Sequence, residues 1–406
     1  MVQIRTGDQS FVKALNKSIV LNIVRSQSPI SRAHIAKVSG LNKATVSTLM
    51  DELIAERMVH EVGQGESKGG RRPRLLMLNE RAAVVAGIDV GVGYLLAVVM
   101  DLRTKVLWRR RIPMDHRKGP EACLETAAGL IQEGLDAVPA PPLGLLGIGV
   151  GVPGLVDEAQ SRLLFAPNLK WADVPIRDWL HRQFGVPILV ANEANAGAIG
   201  EVWAGSAGGT QSLVYLSVGI GLGAGIILNG ELYRGMSGVA GELGHTTIDI
   251  TGPVCPCGNR GCWELFASET ALRSQIARAV AANPLFFSPL APRDPDTLDT
   301  EDVVAAAESN DPIAISALST IGDHLGVGIT NIINSFNPSL IIIGGSLAQA
   351  GSYVLNPARR TVEQRTTSHS RARTQIVLST LGPSGCAVGA GAMVLQEQFR
   401  LPALIL

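Results

Sequence analysis

The sequence contains no apolar run of the roughly 20 residues that a membrane-spanning helix needs. Its first residues, Arg5, Asp8 and Lys13 among them, lack the basic, apolar and small-residue succession of a secretory leader. Cysteine is scarce: there are five in 406 residues, and three of them fall within residues 255–262. That clustering is not a disulfide framework. The chain therefore reads as cytoplasmic, with no membrane among its partners. Net charge is missing as well, since 35 Lys and Arg balance 35 Asp and Glu. The balance conceals an asymmetry. Residues 1–80 hold 12 basic and 7 acidic side chains, leaving 23 and 28 for the remainder, so a head of +5 precedes a body of −5. A basic head on an acidic body suits contact between the head and nucleic acid.

Apolar side chains, at 46%, and glycine, with 45 residues, are abundant. A chain of this length exceeds one ordinary core, so two or three domains are expected. Many glycines follow short apolar runs, the habit of an α/β protein with tight strand-to-helix turns. No solenoid-type repeat is visible.

The most informative stretch reads Glu242-Leu-Gly-His245, then Cys255-Pro-Cys257-Gly-Asn-Arg-Gly-Cys262-Trp-Glu264. Three thiols and one imidazole are the ligands of a closed, tetrahedral, structural zinc, which makes His245, Cys255, Cys257 and Cys262 the candidate set. Gly258 and Gly261 allow the sharp turns that let Cys257 and Cys262 face one ion. Glu242 and Glu264 flank the ligands, and a metal that pins the segment would fix both acids. Carboxylates held this way are good acceptors for sugar hydroxyls.

On these residues the chain resembles the ROK family, which holds bacterial sugar kinases and sugar-responsive repressors. The resemblance implies an α/β chain: an N-terminal winged helix-turn-helix domain, then a two-lobed actin-like ATPase (ribonuclease H-like) body. The domains expected are residues 1–80 for DNA and 81–406 for sugar. Within the body, 81–195 with a C-terminal helix over 382–398 form one lobe and 196–381 the other. Kinases of the family usually lack the head.

The head is also readable from its own residues. Ile19, Val20, Ile23 and Val24 mark one face of a helix over residues 16–27 that Pro29 ends. Ser31 can cap a second helix and Asn42 a third, on either side of a turn at Gly40. Val46, Leu49 and Leu53 face inward on the third, whereas Lys43, Thr45, Ser47 and Thr48 form a small polar face. Helix, short glycine turn and hydroxyl-rich second helix is the helix-turn-helix arrangement, with Lys43 placed for phosphate. Strands over 58–62 and 75–78 around a glycine-rich loop make a wing, with Arg71 and Arg72 at its base. The candidate DNA contacts are Ser31, Arg32, Asn42, Lys43, Thr45, Ser47, Thr48, Arg71 and Arg72.

In the body, Asp89-Val-Gly91-Val92-Gly93 follows a strand where family kinases read Asp-x-Gly-Gly-Thr and hold ATP phosphates. Val92 puts a branched side chain where the kinases' second glycine stands, and Gly93 lacks the hydroxyl. Gly219-Ile220-Gly221-Leu-Gly223-Ala-Gly225 is a phosphate cradle or a tight sheet crossing, and Ile220 stands where kinases have threonine. Glu193 replaces the catalytic aspartate of the kinases, one methylene longer, so it reads as a ligand-binding acid. The resemblance places Asn168, Asn192, Glu193, Glu242, His245 and Glu264 around a sugar, with no catalytic residue. Residues 283–299, with four prolines, read as an exposed loop and 300–336 as helical. Cys123, Cys386 and the histidines other than His245 read as structural or surface residues.

The resemblance is strongest, over Asn192–Gly197, Gly235–Glu242 and Cys262–Ser268, to repressors of xylose operons. It implies a non-enzymatic, sugar-responsive repressor that binds a palindromic operator and is released by D-xylose, or by glucose, as a homodimer or homotetramer. A ROK sugar kinase, and a regulator controlled by a phosphotransferase-system protein, are the alternatives.

Overall fold

Local stop and start signals shape the head. Helix α1 (Gln9–Gln27) ends before Ser28-Pro29, and strand β1 (Ile30–Ser31) follows. The Ser31 hydroxyl accepts the His34 N–H at 3.2 Å and opens α2 (Arg32–Ser39), which ends at a left-handed Gly40. Asn42 accepts the Thr45 N–H at 2.7 Å and opens α3 (Lys43–Ala55). In this computed structural model residues 9–65, 72–282, 288–294, 297–367 and 373–400 are described. Val20, Val24, Ile35, Val46, Leu49 and Leu53 are buried between the three helices. Each contributes about 1.5–3 kcal/mol on leaving water. Strands β2 (Val59–Gln64) and β3 (Arg74–Leu78) complete a small sheet in the order β1-β3-β2, which forms the wing. α1 is longer than the expected 16–27 because the chain continues helical back to Gln9.

The body carries two five-stranded sheets of matching design. The first is built of β4 (Val84–Val90), β5 (Tyr94–Met100), β6 (Val106–Pro113), β7 (Leu145–Val152) and β11 (Ile188–Asn192), in the order β11-β7-β4-β5-β6. The second is built of β12 (Ser212–Val218), β13 (Leu222–Leu228), β14 (Glu231–Leu232), β15 (Leu340–Gly344) and β16 (Gln375–Leu378), in the order β14-β13-β12-β15-β16. Each opens as an antiparallel meander and then adds parallel strands beside its first. The near-continuous apolar reading of β4, β5 and β15 follows from burial on both faces.

Helix α4 (Pro120–Ala137) covers one face of the first sheet through Leu124, Ala127 and Ile131. The C-terminal helix α11 (Gly385–Gln398) covers the other. In the second sheet, α7 (Glu269–Ala282) and α9 (Pro312–Phe336) lie on one face, and α6 (Glu193–Trp203) on the other. α6 and α11 pack against each other, so this helix pair joins the two sheets. α9 is long and apolar enough to cross a membrane, but it is packed in the core against α7 and α10 (Ser352–Arg365). A further small sheet of β8 (Leu155–Asp157), β9 (Arg162–Ala166) and β10 (Trp171–Val174) was not expected; it leads into α5 (Ile176–Phe184).

Two expectations need correction. Residues 300–336 form two helices, α8 (Thr300–Glu308) and α9, because Asp311 caps the second through the Ala314 N–H and Pro312 occupies its first position. The proline-rich segment is not simply exposed: Ser288, Leu290 and Leu298 are buried, the two leucines in the core of the second sheet.

Candidate functional site

The metal-type segment is shaped by short turns and two isolated bridges. Leu243–His245 and Trp263–Leu265 are single 3-10 turns. Thr247 pairs with Cys262, and Val254 with Arg260. Gly258 and Gly261 have φ of 94° and 67°, as the cysteine spacing required. Asn259 donates its amide to the His245 carbonyl and to Thr247 Oγ1, both at 3.1 Å. Trp263 is fully buried and donates Nε1–H to the His324 carbonyl at 2.9 Å, anchoring the segment on α9.

This scaffold gathers His245, Cys255, Cys257 and Cys262 so that their ligand atoms lie within 4.8 Å of one another. Cys257 and Cys262 Sγ are 3.7 Å apart, as are Cys255 Sγ and His245 Nδ1. Zinc–sulfur and zinc–nitrogen bonds of about 2.3 and 2.1 Å give tetrahedral edges of about 3.6–3.8 Å, so the donor set fits. Burial pushes the Cys255 and Cys262 thiols up, whereas the backbone N–H of Asn259 pulls the exposed Cys257 down.

Both flanking acids meet the imidazole. Glu264 Oε1 lies 3.3 Å from His245 Nδ1 and 3.3 Å from Cys255 Sγ. Glu242 Oε2 lies 3.8 Å from His245 Nε2. Glu264 Oε2 also faces Gly221, which brings the glycine run beside this segment. That run resolves as a hairpin turn: Val218 pairs with Leu222, and Gly219 N–H donates to the Gly221 carbonyl at 3.0 Å. The Thr270 hydroxyl donates to the Ile220 carbonyl at 2.8 Å and ties the turn to α7.

A second group of acids stands at the start of α6. Asn192 caps that helix: its Oδ1 accepts the Ala194 N–H at 2.8 Å, and its Nδ2 donates to the Gly154 carbonyl at 3.0 Å. Its amide therefore has structural work to do. Half-buried Glu193 has its carboxyl pushed up to about 7 by burial and by the charge of Asp89. Asp89, on β4, is raised to about 6 by burial, against a hydrogen bond from Tyr94 at 2.9 Å, the thiol of Cys386 and the charge of Arg111. Among the described residues its Oδ1 is buried without a hydrogen-bond partner. Asn168 sits exposed on the turn between β9 and β10, and among the described residues no hydrogen bond joins it to the other expected sugar residues.

Sequence reasoning missed Tyr94. A Cβ on Gly91 would stand 2.2 Å from its ring, so the ring fills the turn after Asp89. Arg111 stacks over that ring at 4.3 Å. It also missed the ion pair of Arg234 with Glu158 at 2.5 Å, in which Glu158 accepts from Asn195 of α6 at 3.4 Å. No local pattern announces pairs so distant in the chain. Cys386, expected as a structural or surface residue, faces Asp89. His181 and His324 hold structural positions, the first against the Val186 carbonyl at 2.8 Å and the second beside Phe266. His369 lies outside the described residues.

In the head, Lys43 and Thr48 are exposed and Thr45 and Ser47 half-buried, along α3. Ser31 and Asn42 are occupied as caps. Arg32 is held by Asp51 at 2.7 Å and by the Ser47 carbonyl at 3.2 Å. Arg72 is exposed on the wing, and Arg71 lies outside the described residues.

Two α/β lobes of one design, with a helix pair between them and a Cys3His cluster flanked by carboxylates, form a body that a three-helix head with a small sheet precedes. The ROK family model matches residues 85–397, and the chain belongs to the ROK family. It is 39% identical over 391 residues to the xylose repressor of Bacillus subtilis, covering 96% of this chain and 97% of that protein. Among solved structures it is similar to a ROK family transcriptional regulator, a homologue of the E. coli MLC protein, with a TM-score of 0.81 and 29% identity. That match covers 96% of this chain and 97% of the other. A ROK family glucokinase from Streptomyces griseus, in complex with glucose and AMPPNP, matches with a TM-score of 0.69 and 28% identity. It covers 76% of this chain and 98% of its own.

Proposed function

We propose that this protein is a sugar-responsive transcriptional repressor that binds sugar without phosphorylating it. Residues 1–80 bind a palindromic operator, and residues 81–406 bind a monosaccharide, D-xylose before glucose. The observation that carries this reading is the end-to-end similarity, head included, to a xylose repressor. The cytoplasm is its place of action, and a homodimer or homotetramer its form, because helix-turn-helix heads read paired half-sites.

His245, Cys255, Cys257 and Cys262 would hold a structural zinc; its chemistry is to fix the segment, not to react. The imidazole holds Nδ1 toward Cys255 and Nε2 toward Glu242. Glu242 and Glu264, held on either side of His245, accept hydroxyls of the sugar. Glu193 meets it from the start of α6, and Asn168 from its turn. The glucokinase likeness favours a kinase as the second reading. Val92, Gly93, Ile220 and Glu193 depart from the kinase pattern, and the Tyr94 ring fills the turn after Asp89, so the repressor reading stands ahead of it.

The test measures operator affinity with and without saturating D-xylose and D-glucose, in the wild type and in Glu242→Ala. Sugar should weaken wild-type binding about 5- to 150-fold, the usual range of such coupling. Glu242→Ala should hold operator and fail to let go. Equal wild-type affinities with either sugar would reject these inducers, and tighter binding would make the protein a co-repressed regulator.

A further inference from the structure

Helix α6 runs from Glu193, beside Asp89, to the head. Asn192 and Glu193 form its first turn, and Trp203 is its last residue. The guanidinium of Arg25, from α1 of the head, stands 4.5 Å from the Trp203 ring centroid and 5.1 Å from that of Phe399. Those two rings are themselves stacked, 6.4 Å apart at 30°. Phe399 directly follows α11, and Asn22 of α1 donates to its carbonyl at 2.7 Å. One head residue thus touches the far ends of both helices that join the lobes. Among the described residues Arg25 Nε is buried without a hydrogen-bond partner and no carboxylate pairs with Arg25, so the two ring faces hold this cation.

The first turn of α6 has no slack. A Cβ on Gly225 of β13 would stand 2.4 Å from the Ala194 carbonyl, and one on Gly389 of α11 would stand 1.7 Å from the Ala196 carbonyl. Backbones this close move together or not at all. The last turn is fixed by buried Glu201, which accepts hydrogen bonds from Ser206 and Ser379. On the head side, Lys13 pairs with Glu52 at 2.7 Å and Lys17 with Glu56 at 2.5 Å, tying α1 to α3 and its C-terminal cap.

We propose that α6 is a rigid lever whose far end, Trp203, drives Arg25 and so repositions α3 when the Glu193 end of the helix closes on a sugar. Arg25 is a positioning residue: it touches neither DNA nor sugar, and it sets which head orientation the body favours. The proposal rests on the reading that sugar meets Glu193, and it adds the route by which occupancy reaches the head. A two-state element biased from one end and read at the other is what such coupling requires.

The experiment uses the full chain. Operator affinity is measured with and without saturating D-xylose and D-glucose, in the wild type and in Arg25→Met, which keeps bulk in the clamp and removes the cation. Sugar affinity without DNA and the melting temperature are measured alongside. Arg25→Met is expected to bind sugar within about twofold of the wild type while its operator affinity changes less than about twofold on adding sugar, against about 5- to 150-fold for the wild type. An Arg25→Met protein that keeps the wild-type ratio overturns the lever. A wild type with no ratio for either sugar overturns the functional reading beneath it, a distinct result. If Arg25→Met fails to fold, Arg25→Lys keeps the charge but not the planar stack. A reduced ratio in that variant supports the lever, and an unchanged ratio overturns it.

Discussion

Tyr94 donates its hydroxyl hydrogen to Asp89 Oδ2 at 2.9 Å, and its ring stands where any side chain on Gly91 would have to go. With Val92, Gly93, Ile220 and Glu193 also departing from the kinase pattern, wild-type protein incubated with ATP, magnesium and xylose or glucose is expected to give no sugar phosphate above background. Turnover near about 1 per second, the lower part of the usual enzyme range, would reinstate the kinase reading. Tyr94→Gly alone should not restore turnover, because Ile220 and Glu193 still depart from the kinase pattern.

Cys257→Ser removes one of four donors from a cluster whose spacing suits zinc. Purified wild type should carry about one zinc per chain and the variant close to none, read by elemental analysis. Sugar affinity should fall about 10- to 100-fold, since Glu264 and His245 lose the anchor that orients them. Metal-free wild type prepared without chelator would refute the zinc assignment.

Glu193 supplies a pH dependence with a definite sign. Its carboxyl rises from 4.5 to about 7 on folding. Between those values the folded chain holds a proton that the unfolded chain has lost, so stability present below pH 4.5 falls as pH rises through 7. The size is at most about 3 kcal/mol. Melting temperatures from pH 5 to 8, at fixed zinc, should decline more steeply in wild type than in Glu193→Gln. Asp89, raised to about 6, acts in the same direction and leaves a residual slope. Parallel curves for the two proteins would show that Glu193 does not carry the effect.

Lys43 is exposed at the start of α3, beside the Asn42 cap. Lys43→Ala should weaken binding to operator and unrelated DNA alike, and lower the slope of log affinity against log salt by about 1. Ser47→Ala should instead change preference among operator variants. A Lys43→Ala protein with an unchanged salt slope would take this residue off the phosphate backbone.

What could be read from the sequence was local. Ser31, Gly40 and Asn42 bond within a few residues of themselves, and each appears in its expected role. The cysteine spacing likewise carried its own geometry, because two glycine turns separate the thiols. The split at Asp311-Pro312 was written in the chain as a cap and a first-turn proline, and apolar periodicity on both sides masked it. What resisted reading was long-range. The matching order of the two sheets rests on parallel pairings such as β12 with β15, between strands far apart in the chain. Phe399, one of the two ring partners of Arg25, lies at the other end of the sequence, and Tyr94 acts through a glycine whose closeness only the folded turn creates.

The apolar interior of the head continues without a break into the body: Leu76 and Leu78 share one cluster with Val85, Leu96 and Val98 of the first sheet and with Leu395 and Phe399. A chimaera cut at residue 80 would therefore sever a core rather than a tether. Exchanging heads between relatives to build sensors with new operators would succeed only if the graft brings a surface that fits these side chains. The operator specificity of this protein and the seam beneath it are inherited together.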